Sequence, residues 1–197
     1  MSMYNQEKID EILWIAHSLY NRGLVHGCTG NISFCDNEYI YISKSGSCFG
    51  RLKSSDFSIL DRNGEIIKGI PSKEYPLHLS LYAVNKKCQV IIHTHSYYTT
   101  LLTCQTGSVE CAISRLLKRT PYLAMKTKQY IGHISYYPPG SKDLFDAFDK
   151  EKDEKTNVYL MERHGLLVGE KDGISAMDII EEMEMAARLD YDIRKFQ

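Results

Sequence analysis

The run Val90-Ile91-Ile92-His93-Thr94-His95 places the tightest constraint on how this chain can fold. Three β-branched residues lead without a break into two histidines one residue apart. The stretch 89–94 reads as a short apolar strand that runs into His95. On a strand, residues two apart point to the same face. His93 and His95 therefore aim two imidazoles at one region from a rigid strand end.

Other segments supply the rest of a layered fold. Over 6–22, Ile9, Ile12, Leu13, Ile15, Ala16 and Leu19 recur at helical spacing, and Gly23 follows as a residue that tolerates the left-handed angles of a helix end. A glycine-rich stretch covers 27–33. A strand is expected at 39–43, followed by the turn SKSG. Strands at 57–60 and 65–68 flank Asp61-Arg62-Asn63-Gly64, where Asn-Gly marks a tight hairpin turn. The segment 72–84 reads as a helix with Ser72 as N-cap and Glu74 in its first turn. Residues 98–104 read as helix, and 107–128 show no clear period. A strand over 130–137 is broken by Pro138-Pro139-Gly140, and a short helix follows at 143–148. Strands at 158–161 and 166–168 lie on either side of Arg163-His164-Gly165. A last helix starts near Ser175 and runs to about Phe196. Strands paired by hairpins, with helices at intervals, indicate α/β or α+β layering. No repeat or linker divides the chain, so 1–197 is expected to be one domain, a size that buries roughly 70% of the unfolded surface.

Charge and composition remove whole classes of function. The formal net charge of 197 residues is -1, so no electrostatic footprint for nucleic acid or an anionic membrane is expected. No apolar run approaches the roughly 18 residues of a membrane span. The polar stretch 1–10 lacks the apolar core of a secretory signal, and a cytoplasmic address is expected. The 6 cysteines form no CxxC pair, which argues against a cysteine zinc knuckle, and they are expected to be free thiols.

The chemistry rests on pieces that are weak alone. A catalytic zinc site needs three protein ligands and one open position. His93 and His95 can be two of them, and His164, beside Gly165 in a tight turn between two apolar strands, is the best candidate for the third. The pair alone reads more plainly as two partly exposed polar residues. Ser72 and Glu74 alone form an ordinary helix start, although a helix N-terminus also attracts anions. Gly30-Asn31 and Ser45-Gly46 alone are turns. Together they offer backbone N–H groups, an amide and a hydroxyl that can cradle a phosphate. His78 lies one helical turn after Glu74, where it faces either the site or the packing around the helix. His26 and His133 are not counted as ligands.

In chain order these pieces are GNIS, ISKSG, PSKE-YPLHLSLY, VIIHTHS and ERHGLLVG. Their order and spacing resemble the class II aldolase and adducin family, typified by fuculose-phosphate aldolase, over nearly the whole chain. The resemblance implies a three-layer α/β/α fold with a central, mainly antiparallel sheet flanked by helices. It implies a cyclic homotetramer with active sites at subunit interfaces. His93, His95 and His164 match the zinc ligands, and one zinc ion per subunit is expected, although an all-imidazole site accepts other divalent ions. Glu74 matches the acid/base that also touches the metal when substrate is absent. Gly30, Asn31, Ser45, Gly46 and Ser72 match the substrate-phosphate site. Adducin-type members without turnover lose zinc ligands, whereas this chain keeps all of them.

Finer features separate branches of the family. The aldolases usually carry two serines before the glutamate, and here the second is Lys73. The chain stops soon after its last helix, where fuculose-phosphate aldolase carries a tail with a catalytic tyrosine. PSKE, HTHS followed by TTLLTC, TPYLAMK and SYYPPGS resemble the branch that decarboxylates 3-oxo-tetronate 4-phosphates to dihydroxyacetone phosphate and CO₂. In that reading zinc offsets the charge of an enediolate, and Glu74 moves the proton at its carbon. Tyr122 is a candidate second proton donor, or else a half-buried aromatic. Lys73 or Lys126, and less so Arg115 or Arg119, can attract the substrate carboxylate; the plain alternative for each is a solvated cation. The other functions in view are a ketose 1-phosphate aldolase, a dehydratase of the methylthioribulose-phosphate type, and an adducin-like binding domain.

Overall fold

The structure, a computed structural model, describes residues 5–104 and 108–196. Residues 1–4 of the polar N-terminal stretch, and Gly107 at the start of the stretch without a period, lie outside the described residues. The strands are β1 (Asn31–Asp36), β2 (Tyr39–Ser43), β3 (Phe57–Asp61), β4 (Ile66–Lys68), β5 (Val90–Thr94), β6 (Gly132–Ile134), β7 (Val158–Met161) and β8 (Gly165–Glu170). The helices are α1 (Gln6–Asn21), α2 (Tyr75–Val84), α3 (Tyr97–Cys104), α4 (Val109–Leu116), α5 (Pro121–Lys126), α6 (Lys142–Glu151) and α7 (Gly173–Lys195). The strands form an 8-stranded sheet in the order β4-β3-β2-β1-β5-β8-β7-β6. Every pairing is antiparallel except β6 with β7.

Alternation along the strands builds two cores. Val90 and Ile92 of β5 join Ile32 and Phe34 of β1 in a core covered by α1, α3, α4, α5 and α7. Ile91 joins Leu77 and Leu81 of α2 and Phe148 of α6 on the opposite face. The result is the expected three-layer arrangement of helices, sheet and helices. On α1, Ile9, Ile12, Ile15 and Leu19 are fully buried on one stripe, and each such side chain contributes about 1.5–3 kcal/mol. No helix among the described residues is long and apolar enough to cross a membrane. The six cysteines are free thiols, as expected.

Three local expectations are corrected. The helix expected over 72–84 begins at Tyr75 instead, and Ser72 is not its N-cap. The Ser72 N–H donates to Ser43 O at 3.1 Å, which ties that residue to the end of β2. Glu74 takes the cap position, with Pro76 just inside the helix, and its side chain makes no capping bond. The strand expected over 130–137 shrinks to β6: Tyr136 N donates to the Glu162 side chain at 3.0 Å, and Pro138 and Pro139 have no N–H for a ladder. The stretch without a period holds α4 and α5, each too short to display a long repeat.

The topology collects four segments at one end of the sheet. β1 and β8 both run antiparallel to β5, so their first residues lie beside its last. Two glycines permit the close approach. Gly30 has φ +77, and a Cβ there would meet His93 O at 2.7 Å. Gly165 has φ +157, and a Cβ there would meet Thr94 O at 2.1 Å. Only glycine fits either place.

Candidate active site

Asn31 of β1 is the register partner of His93 at the end of β5. His95 follows β5, His164 precedes β8, and Glu74 precedes α2. These segments bring the side chains of Glu74, His93, His95 and His164 together, with one donor atom from each lying within 4.8 Å of the others. His95 Nε2 is 2.8 Å from His93 Nε2. Glu74 Oε2 is 3.3 Å from His93 Nε2, and Glu74 Oε1 is 2.9 Å from His164 Nε2. The three rings stand edge to face in pairs, with centroids 4.6 Å, 4.9 Å and 4.9 Å apart.

The donor set fits a divalent metal ion. Burial holds His93 well below its ordinary value, and holds His95 at about 4, so both rings are neutral and offer lone pairs near neutral pH. Two neutral imidazoles facing each other nitrogen to nitrogen share at most one proton, but both can face a cation. Glu74 Oε1 and both ring nitrogens of His164 are buried without an aligned hydrogen bond among the described residues. His93 Nδ1 lies 2.9 Å from Leu166 O, to which it donates. This fixes the tautomer so that Nε2 points its lone pair into the cluster. Burial raises the Glu74 carboxyl, the Asn31 amide lowers it, and His93 and His164 lower it further in their protonated forms, with a net fall below the usual carboxylate range.

A cleft of about 200 Å³ opens onto this cluster. Gly30, Asn31, Ser45, Gly46, Ser72 and Lys73 all line it, beside Glu74, His95 and His164. The expected phosphate-site residues thus share one cavity with Glu74, His95 and His164, while His93 is fully buried and does not line it. Cys28, Thr29, Lys44, Ser47, Pro139 and Gly140 line it too and were not singled out by the sequence. Lys44 was legible inside the turn SKSG; Pro139 and Gly140 stood out as a chain break and as part of SYYPPGS. A larger hollow of about 660 Å³ runs along β6. Glu110, Asp143, Asp146, Glu151 and Asp153 line it and would repel a phosphate.

Other candidates lie elsewhere. Tyr122 on α5 is 60% exposed and does not line the cleft. Lys126 pairs with Asp178. Arg115 and Arg119 hold the buried Asp190 carboxylate at 3.2 Å and 2.7 Å and do not line the cleft. His78 is 1% exposed and packs on the sheet, with Nε2 2.5 Å from Asn31 Oδ1. His133 pairs with Glu110.

Comparison with known proteins points the same way. The profile of the class II aldolase and adducin N-terminal domain matches residues 10–191. An L-fuculose phosphate aldolase of Methanococcus maripaludis is 34% identical over 184 residues, covering 93% of this chain and 96% of that protein. A 3-oxo-tetronate 4-phosphate decarboxylase of Haemophilus influenzae is 34% identical over 178 residues, covering 89% of this chain and 82% of that one. The crystal structure of YgbL from Klebsiella pneumoniae superposes with a TM-score of 0.87 at 30% identity, covering 98% of this chain and 92% of that one.

Proposed function

The chain belongs to the class II aldolase and adducin family, and from that premise we propose that it is a metal-dependent carbon–carbon lyase. Its proposed substrate is a 3-oxo-tetronate 4-phosphate, released as dihydroxyacetone phosphate and CO₂. The observation that carries this reading is the convergence of three imidazoles and one carboxylate on a cleft that also holds Lys73 and Lys44. The substrate carries two anionic groups, a phosphate and a carboxylate. A site for a ketose 1-phosphate needs to match only one.

His93, His95 and His164 would hold the ion, zinc in our reading, with Glu74 beside it. Bound there, a divalent ion supplies the positive charge that offsets electrons left on the substrate oxygen as the carbon–carbon bond breaks. The N–H groups and hydroxyls of Gly30, Asn31, Ser45, Gly46 and Ser72 would bind the phosphate. Lys73 would orient the carboxylate. A tight ion pair would hold the departing group in its charged form, so this contact has to align it without overstabilising it. When CO₂ leaves, its bonding pair stays on the carbon next to the ketone. One proton, drawn from solvent, has to replace the CO₂ at that carbon, and Glu74 would take it up and pass it on.

Tyr122, exposed and outside the cleft of its own chain, is proposed to donate a proton in the site of a neighbouring copy within a homotetramer. Hybrid tetramers of Tyr122→Phe and Glu74→Gln chains would then regain activity that neither variant has alone.

The near-equal similarity to L-fuculose phosphate aldolases supports aldol cleavage as a second reading. Incubation of the zinc-loaded protein with 3-oxo-tetronate 4-phosphates should release dihydroxyacetone phosphate and CO₂ in equal amounts. Cleavage of fuculose 1-phosphate with no CO₂ from the acids would move the assignment to the aldolase. Turnover of neither, with no stoichiometric metal, would leave a binding domain.

A further inference from the structure

Behind Glu74 the sheet carries a file of buried polar side chains that starts from Asn31 of the proposed phosphate site and continues through three residues, His78, Ser33 and Tyr82, that the reaction proposed above does not use. Tyr82 is 7% exposed, Ser33 0%, His78 1% and Asn31 3%. Their neighbours on that face, Leu77, Leu81 and Ile91, are apolar. The contacts link them end to end. Tyr82 OH lies 2.8 Å from Ser33 Oγ, and Ser33 Oγ lies 2.7 Å from His78 Nδ1. His78 Nε2 lies 2.5 Å from Asn31 Oδ1, and Asn31 Nδ2 lies 3.2 Å from Glu74 Oε2.

The direction of every proton in this file follows from its last member. An ionised carboxylate only accepts, so the amide nitrogen of Asn31 has to face Glu74. The amide oxygen then faces His78, and it too only accepts, so His78 carries its proton on Nε2. Nδ1 is left with a lone pair and takes the Ser33 hydroxyl proton. Ser33 in turn accepts from Tyr82. The order is therefore Tyr82 to Ser33 to His78 to Asn31 to Glu74, donor to acceptor at each step. Reversing the amide would set its carbonyl against the Glu74 carboxylate, a repulsive contact in a site with little water, and would require the other His78 tautomer, with the proton on Nδ1.

We propose that His78 is a positioning residue: its Nε2–H locks the Asn31 amide with the nitrogen toward Glu74, and this aims the carboxylate at the substrate carbon. The inference rests on the reading of Glu74 as the proton carrier. Burial keeps His78 neutral, with its value pushed down to about 3, so one donor and one acceptor nitrogen persist at working pH. A neutral ring can serve a file that needs one of each; an imidazolium, with two donors, would turn the Ser33 hydroxyl around.

Two substitutions separate this role from simple packing. In His78→Gln the side-chain amide keeps an N–H in reach of Asn31; His78→Phe keeps the ring shape and has no donor. His78→Phe should lower kcat about 30-fold, and His78→Gln should stay within about threefold of the parent. In an Asn31→Ala background the added His78→Phe should cost less than about twofold, because the group through which His78 acts is gone. Losses that multiply independently, or a His78→Phe enzyme as fast as the parent, would overturn the proposal. Nitrogen-15 NMR of the zinc-loaded protein reads the tautomer without turnover and without a folded Phe variant. The histidine signals missing from His78→Gln should show a protonated Nε2 and a bare Nδ1. The opposite tautomer, or an imidazolium near pH 7, overturns the proposal even in an active enzyme. If neither sugar phosphate turns over, the lyase reading fails while the tautomer alone upholds or overturns the orientation.

Discussion

Asn31 and His93 sit opposite each other on β1 and β5, and their side chains reach the same carboxylate oxygen. Asn31 Nδ2 is 3.2 Å, and His93 Nε2 is 3.3 Å, from Glu74 Oε2. One strand register thus sets both the amide and the imidazole against Glu74, and the proposed roles of these groups can be tested apart.

Removing a ligand and removing the proton carrier should fail differently. His93→Ala or His164→Ala is expected to lose bound divalent metal and turnover together, measured by elemental analysis beside the assay. Glu74→Gln is expected to keep the metal and lose about 10³-fold in kcat, within the usual range for a positioned acid/base. A Glu74→Gln enzyme with near-normal turnover would remove Glu74 from the chemistry.

The neutral histidines make the metal-free protein sensitive to acid. Burial lowers His78 to about 3 and His95 to about 4, from an ordinary value of 6.5. His93 is also pushed well down by burial. Folded values below unfolded ones mean that the unfolded chain binds more protons once pH falls under about 6.5. Stability should therefore be flat near pH 7.5 and fall progressively from about 6.5 toward 4. Glu74, held below the usual carboxylate range, extends the loss at lower pH. Urea midpoints of the apoprotein across this range check the sign; a midpoint that stayed level down to pH 5 would mean the rings charge freely in the native state.

Lys73 should matter in proportion to the charge of the substrate. It lines the cleft, and its Cβ would lie 3.4 Å from a Cβ added at Gly140, which places its stem against the Pro139-Gly140 wall. Lys73→Met is expected to raise KM about tenfold for a phosphorylated acid and to change it little for a neutral-headed ketose phosphate. Equal effects on both would assign the ammonium to the phosphate instead.

Gly165→Ala tests the closeness of β8 to β5. The new methyl would have to displace Thr94 O, 2.1 Å away, at φ +157. A loss of about 2–4 kcal/mol is expected. Since Gly165 adjoins His164 and abuts His95, metal affinity should fall as well, read by competition with a chelator. An alanine variant that melts and binds metal like the parent would show that this approach has slack.

What the sequence disclosed follows from how locally each feature is determined. Short apolar runs bounded by turn residues marked β2 and β7 at their observed bounds, because a strand covered on both faces is apolar almost throughout. The cluster of His93, His95, His164 and Glu74 could be assembled from motif order, since each member sits at the end of a strand or the start of a helix. The start of α2 was misplaced for an informative reason. Ser72 and Glu74 carry the letters of a capping motif, yet one is tied to β2 and the other turns toward imidazoles. The file from Tyr82 to Asn31 was not legible as a file, although Asn31 and His78 were each singled out as candidates near the site. Its members are spaced by the pairing of a helix with a sheet, and the sequence shows only an ordinary serine, histidine and tyrosine.

The pairing of β1 with β5 has a consequence for how the gene can change. Adding or deleting one residue between Asn31 and Asp36 would swap the two faces of that strand. The amide would then turn into the apolar core and an aliphatic side chain would meet the carboxylate. The same change at the Asn37–Glu38 bend between β1 and β2 alters only a surface loop. Length variation should therefore be tolerated at that bend and purged a few codons upstream.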